Sequence, residues 1–196
     1  MKKVKVISAA LAVCVAILAS GCAGNSGKQE PEIVKPTAEQ IVKRGEYLVT
    51  IMGCNDCHSP KKMGPHGPMV IPELMLSGYP ASRPLPKLDA RAIKEGWVLL
   101  VDDLTAASGP WGVSFAGNLT SDQTGIGNWT LENFKRALKE GKYKGLEGTR
   151  MLLPPMPWTN FKDISDDDIG AIFAYLQSTK PVSNSVPMPI TPEEIK

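Results

Sequence analysis

Cysteine and histidine are scarce in this chain of 196 residues, which holds four of the first and two of the second. No cysteine follows Cys57, so a zinc site built from two Cys pairs has no second pair to draw on. The apolar run from about Val6 to Ala19 is too short to cross a membrane. No stripe of one charge sign is visible, and nucleic acid is not an expected partner. There is no internal repeat. The segment Gly145-Leu146-Glu147-Gly148 lacks the Lys-Ser/Thr pair of a phosphate-binding loop, and no nucleophile sits in a local catalytic motif. An enzyme is therefore not the expectation.

What is present begins with Lys2, Lys3 and Lys5 ahead of that apolar run, the pattern of a secretory signal over residues 1–21. The run ends in Leu18-Ala19-Ser20-Gly21-Cys22, which resembles a bacterial lipobox. That resemblance implies cleavage before Cys22 and a lipid on its sulfur, giving a protein tethered to a membrane in the cell envelope without spanning it. The alternative is ordinary cleavage after Gly21, leaving a free thiol in an oxidising compartment. Without the three leader lysines the net charge of +2 falls to −1, so the basic balance belongs to the signal. Residues 22–36 are small, polar and proline-containing and predict a flexible linker. The remaining 37–190 predict one domain, with an insertion at about 60–116.

Cys54-Asn55-Asp56-Cys57-His58 has the spacing of covalent c-type haem attachment. Residues three and four apart share a helical face, so both thiols reach one porphyrin edge while the adjacent imidazole reaches the iron. A thioredoxin-like dithiol would need a βαβ setting, whereas a helix is predicted before Cys54 and a Pro/Gly loop after His58. With Cys14 leaving in the signal and Cys22 lipidated, no cysteine remains for a disulfide. One covalent haem is expected.

Thr37 and Gln40 form a predicted capping box, and Ile41, Tyr47, Leu48 and Ile51 recur at helical spacing up to the motif. A second helix is predicted from Thr130 to Gly141, burying Leu131, Phe134 and Leu138. A last one follows Ser165 and Asp166-Asp167-Asp168, buries Ile169, Ile172, Phe173 and Leu176, and stops before Pro181. Between motif and second helix, Trp97–Val101 and Trp111–Phe115 flank a Gly109-Pro110 breaker and predict a short hairpin.

A haem with one His either takes a second axial ligand or keeps an open site, which separates electron carriers from haem enzymes and gas sensors. Met156 is the candidate, since the prolines of Leu152-Leu153-Pro154-Pro155-Met156-Pro157-Trp158 fix its backbone. A thioether in an apolar setting favours ferrous iron. Met151 and His66 are the alternatives. Pro65, Pro68 or a proline further on is the expected carbonyl partner of the second His58 nitrogen, and Asn118 and Arg150 are candidates for propionate binding or loop fixing.

Helix, Cys54-Asn55-Asp56-Cys57-His58, methionine loop and closing helix together resemble a class I cytochrome c, a mainly α fold. Asn118–Asp122, Gly125–Thr130, Pro154–Trp158 and Ala171–Leu176 resemble cytochrome subunits of bacterial membrane-bound dehydrogenases and their single-haem relatives. The resemblance implies Met156 as axial ligand and a crossing of first and last helices near Gly45 and Tyr175. The function it implies is electron transfer between a dehydrogenase and a later carrier or terminal oxidase, with redox proteins as partners. The alternatives are a haem enzyme or gas sensor with a labile sixth site, and a fixed subunit of a dehydrogenase complex. One haem motif favours a mobile carrier.

Overall fold

The computed structural model describes residues 35–195. The expected signal over 1–21, the lipidation at Cys22 and nearly all of the expected linker over 22–36 lie outside the described residues. Among the described residues there are five α-helices: α1 (Ala38–Ile51), α2 (Cys54–His58), α3 (Ala90–Lys94), α4 (Leu131–Glu140) and α5 (Asp166–Ser178). Two small antiparallel sheets join them, one of β1 (Lys61–Gly64) and β2 (Gly67–Val70), the other of β3 (Leu99–Leu100), β4 (Ala106–Gly109) and β5 (Gly112–Phe115).

Caps place the three long helices where the sequence puts them. Gln40 N–H donates to Thr37 Oγ1 at 3.2 Å and Thr37 N–H to Gln40 Oε1 at 2.8 Å, closing the capping box of α1. Thr130 and Asn133 form a second box at α4, which Gly141 ends in a left-handed conformation with φ 68°. Asp168 N–H donates to Ser165 Oγ at 3.1 Å, and three aspartates complement the N-terminal dipole of α5.

The buried faces differ in part from the expected ones. On α1 only Leu48 of the expected stripe is buried, while Tyr47 and Ile51 are 55% and 59% exposed. Gly45, Leu48 and Val49 line the buried side instead. The reason is the approach of α5: a Cβ on Gly45 would lie 1.9 Å from Ala171 O and 2.7 Å from Tyr175 Cβ. That contact turns the helix so that Gly45, Leu48, Val49 and Met52, at one helical periodicity, face inward. On α4, Leu131 sits at the first helical position and stays exposed, and Ala137 joins Phe134 and Leu138 in the core. Leu48, Val49, Leu76, Ile126, Phe134, Leu138, Ile169, Ile172 and Leu176 form one buried cluster, so three helices and two loop residues make the core.

The insertion holds more regular structure than a single hairpin. The predicted hairpin around Gly109-Pro110 exists, but its first strand is β4, with Gly109 opposite Gly112. From the Trp97–Val101 run only Leu99 and Leu100 pair, against Ser108 and Ala107. All four residues of β4 are buried, and two alanines, a serine and a glycine fit where bulkier strand formers would not. After α5 the chain returns to the insertion: Val113 and Ile190 exchange backbone hydrogen bonds of 2.8 and 3.1 Å, and Asn184 Nδ2 donates to the carbonyls of Ser77 and Tyr79.

Candidate haem site

Gly53, at φ 70°, breaks the chain between α1 and α2. It aims the short second helix at the core, where Cys54 packs against the buried cluster. Cys54 and Cys57 are free thiols, three residues apart on one helical turn. Burial pushes the Cys54 thiol up to about 11 and raises that of Cys57 as well. Both are thus held protonated at neutral pH, the opposite of the thiolate that a redox-active dithiol needs.

The Nδ1 atom of His58 lies 2.7 Å from the carbonyl oxygen of Gly117. A carbonyl only accepts, so Nδ1 carries the proton and the neutral ring presents the lone pair of Nε2. Burial lowers the pKa of the ring and favours that neutral form. The carbonyl partner is therefore Gly117, and neither Pro65 nor Pro68. Those prolines belong to the β1–β2 hairpin, whose Gly64–Gly67 closure sets Pro65 and His66 at an exposed tip.

Backbone contacts around His58 hold this arrangement. Gly78 N–H donates to His58 O at 2.8 Å, Leu76 N–H to Ser59 Oγ at 2.8 Å, and Ser59 Oγ–H to Asn55 Oδ1 at 2.7 Å. Tyr79 N–H donates to Ala116 O at 3.0 Å. Gly78 has φ 77°, and a Cβ there would meet the same Ala116 oxygen at 2.4 Å. Both ends of the insertion and its segment 76–79 thus meet at the backbone of residues 58–59.

Met156 is half-buried and packs against the same hydrophobic cluster as Cys54. Its loop is pinned on both sides. Ser114 Oγ–H donates to Pro154 O at 2.6 Å from β5, and Leu152 N–H donates to Gly141 O at 2.6 Å from the end of α4. Trp158 lies against Gly141, where a Cβ would be 2.5 Å from the indole. Met151 instead pairs with Lys142 and is 39% exposed.

Asn118 is a buried structural node and not a surface donor. Its Oδ1 accepts from Thr120 N–H at 2.9 Å and Thr120 Oγ1–H at 2.8 Å, while Nδ2 donates to Val182 O at 2.8 Å. Arg150 is exposed, donates to Met151 O at 2.9 Å and stacks its guanidinium 4.1 Å from the Tyr143 ring centre. Both fix loops. Gly117 and Asn184 escaped sequence reasoning because a carbonyl acceptor and a lone tail asparagine carry no motif. A groove of about 250 Å³ runs along the insertion between Leu85, Leu88, Leu99, Val101 and Val113, and none of the candidate donors lines it.

No family model matches the chain. Over 147 residues, 74% of its length, it is 32% identical to the cytochrome c subunit of a quinone-type alcohol dehydrogenase from Gluconobacter oxydans. It is 26% identical over 170 residues, 84% of its length, to the fructose dehydrogenase cytochrome subunit of Gluconobacter japonicus. With the gluconate 2-dehydrogenase cytochrome c subunit of Pantoea cypripedii it shares 27% identity over 160 residues, 78% of its length. These likenesses support a cytochrome c family. The chain spans 23%, 27% and 28% of those three relatives, so it corresponds to about a quarter of each cytochrome subunit.

Proposed function

We propose that the protein is a single-haem c-type cytochrome that transfers electrons in the cell envelope. Cys54 and Cys57 would carry the haem as thioethers, and His58 and Met156 would hold its iron. The observation that carries this reading is the His58–Gly117 hydrogen bond, which orients a neutral imidazole with Nε2 uncommitted beside two protonated thiols. Haem, when bound, supplies a one-electron couple. The protein's own groups do the rest. Gly117 fixes the ring and raises its basicity as a ligand, the pinned proline loop presents the Met156 thioether, and Leu48, Ile126, Phe134 and Ile172 keep water from that side. A soft ligand in an apolar wall favours the reduced state. Redox titration with visible spectra tests this: a single couple with a low-spin spectrum is expected, and rapid CO binding by the untreated reduced protein would contradict it.

The named relatives are subunits of dehydrogenase complexes, which favours a second reading in which this chain, too, works bound to a dehydrogenase. In both readings the electrons come from a dehydrogenase and pass to a later carrier or oxidase, and the anchor is a lipid on Cys22. Among the described residues no helix is long and apolar enough to cross a membrane. Purification with and without detergent, followed by identification of co-purifying proteins, separates carrier from subunit. Metabolic labelling with a palmitate analogue tests Cys22.

A further inference from the structure

We propose that Lys61 is a positioning residue that clamps the insertion to the haem-carrying turn and holds the reduction potential of the iron up. The inference rests on the haem reading above. The Lys61 ammonium donates to three backbone carbonyls: Asp56 O at 2.6 Å, Ser59 O at 3.0 Å and Asp103 O at 2.9 Å. An ammonium has three protons, and here each has a carbonyl. Two of the acceptors flank Cys57 and His58 in sequence. The third lies far along the insertion.

That third acceptor is itself immobile. Asp103 is 3% exposed; its Oδ1 accepts from Thr105 N–H and Oγ1–H, and its Oδ2 lies 2.7 Å from Arg83 Nη1. Arg83 in turn sits 5.8 Å from the Tyr79 ring centre, and Tyr79 packs on Phe115. A continuous set of polar and aromatic contacts thus runs from the interior of the insertion, through one lysine, to α2. The neighbouring lysine, Lys62, points to solvent from the other face of β1 and has no such contacts.

The expected effect has one sign from two causes. Oxidation would add a positive charge at the iron, which a fixed cation on the haem-carrying turn opposes. Lys61 also turns three carbonyl dipoles onto itself, and without it their negative ends would be freed to favour ferric iron.

The test compares full-length holoproteins carrying Lys61→Met, Lys61→Arg and Lys62→Met, with Lys61→Gln replacing the first if it fails to fold. Haem content per chain and reduction potential are measured on each. The proposal expects full haem content throughout, a lowered potential in Lys61→Met or Lys61→Gln, a potential near the parent's in Lys61→Arg, and no shift in Lys62→Met. Hydrogen exchange at residues 54–58 and 103–105 should rise together in Lys61→Met only. An unchanged potential in Lys61→Met, or an equal fall in Lys62→Met, overturns the clamp. A parent protein without haem overturns the haem reading instead.

Discussion

His58 and Gly117 meet through a 2.7 Å hydrogen bond across 59 residues of chain. The insertion begins just after one and ends just before the other, so a long excursion leaves and rejoins the fold at the candidate ligand. An excursion with its ends together costs little in chain entropy as it lengthens. It also ties the insertion to the site, since the residue that follows it supplies the acceptor for the imidazole. Asn118, next to that acceptor, is the tie that holds it. Asn118→Ala should destabilise the protein by about 2 kcal/mol, because Thr120 and Val182 lose buried partners. Chemical denaturation measures this, and a change below the scatter of surface substitutions would contradict the role.

Gly45 sets how closely α1 and α5 approach. A side chain there meets backbone, the Ala171 carbonyl, which has no freedom to yield. Gly45→Ala should cost roughly 2 kcal/mol through overpacking, despite the better helix propensity of alanine. A stabilised variant in a thermal melt would show that the helices separate freely.

Met156→Ala should remove the weak long-wavelength band that iron–thioether ligation gives the oxidised protein, lower the reduction potential, and leave the haem attached. Met151→Ala should do none of these, since its side chain is turned out beside Lys142. Survival of the band in Met156→Ala would move the ligand to another residue.

Acid should loosen the helix pair. Arg44 Nε donates to Asp168 Oδ1 at 2.9 Å, and that hydrogen bond is the main cause holding the Asp168 carboxyl below its ordinary value of 3.8. A depressed carboxylate adds stability that is complete above its unfolded value and is lost as the pH falls through its folded one. The parent should therefore lose stability below pH 3.8 more steeply than Asp168→Asn. Denaturant midpoints across that range check the sign, and parallel curves would refute it.

Helix ends were legible because caps are local: Thr37 with Gln40, Thr130 before Gly141, and Ser165 before three aspartates each specify a terminus within a few residues. Inward faces were less legible. Tyr47 and Ile51 have the right spacing and hydrophobicity, but the approach of a distant helix to Gly45 decides the rotation of α1. Strand β4 was hidden because its small residues suit a strand only once both faces are covered. The candidate donors stood out by spacing and proline context. The carbonyls that orient His58 and bind Lys61 did not, as any residue supplies one.

Everything proposed for the site depends on a haem joined covalently to this polypeptide. Intact and peptide mass spectrometry of the protein, produced in a host competent for cytochrome maturation, reads it directly. One haem adduct per chain is expected, on the peptide containing Cys54 and Cys57 and lost when both are replaced by serine. An unmodified chain with two free thiols would contradict it.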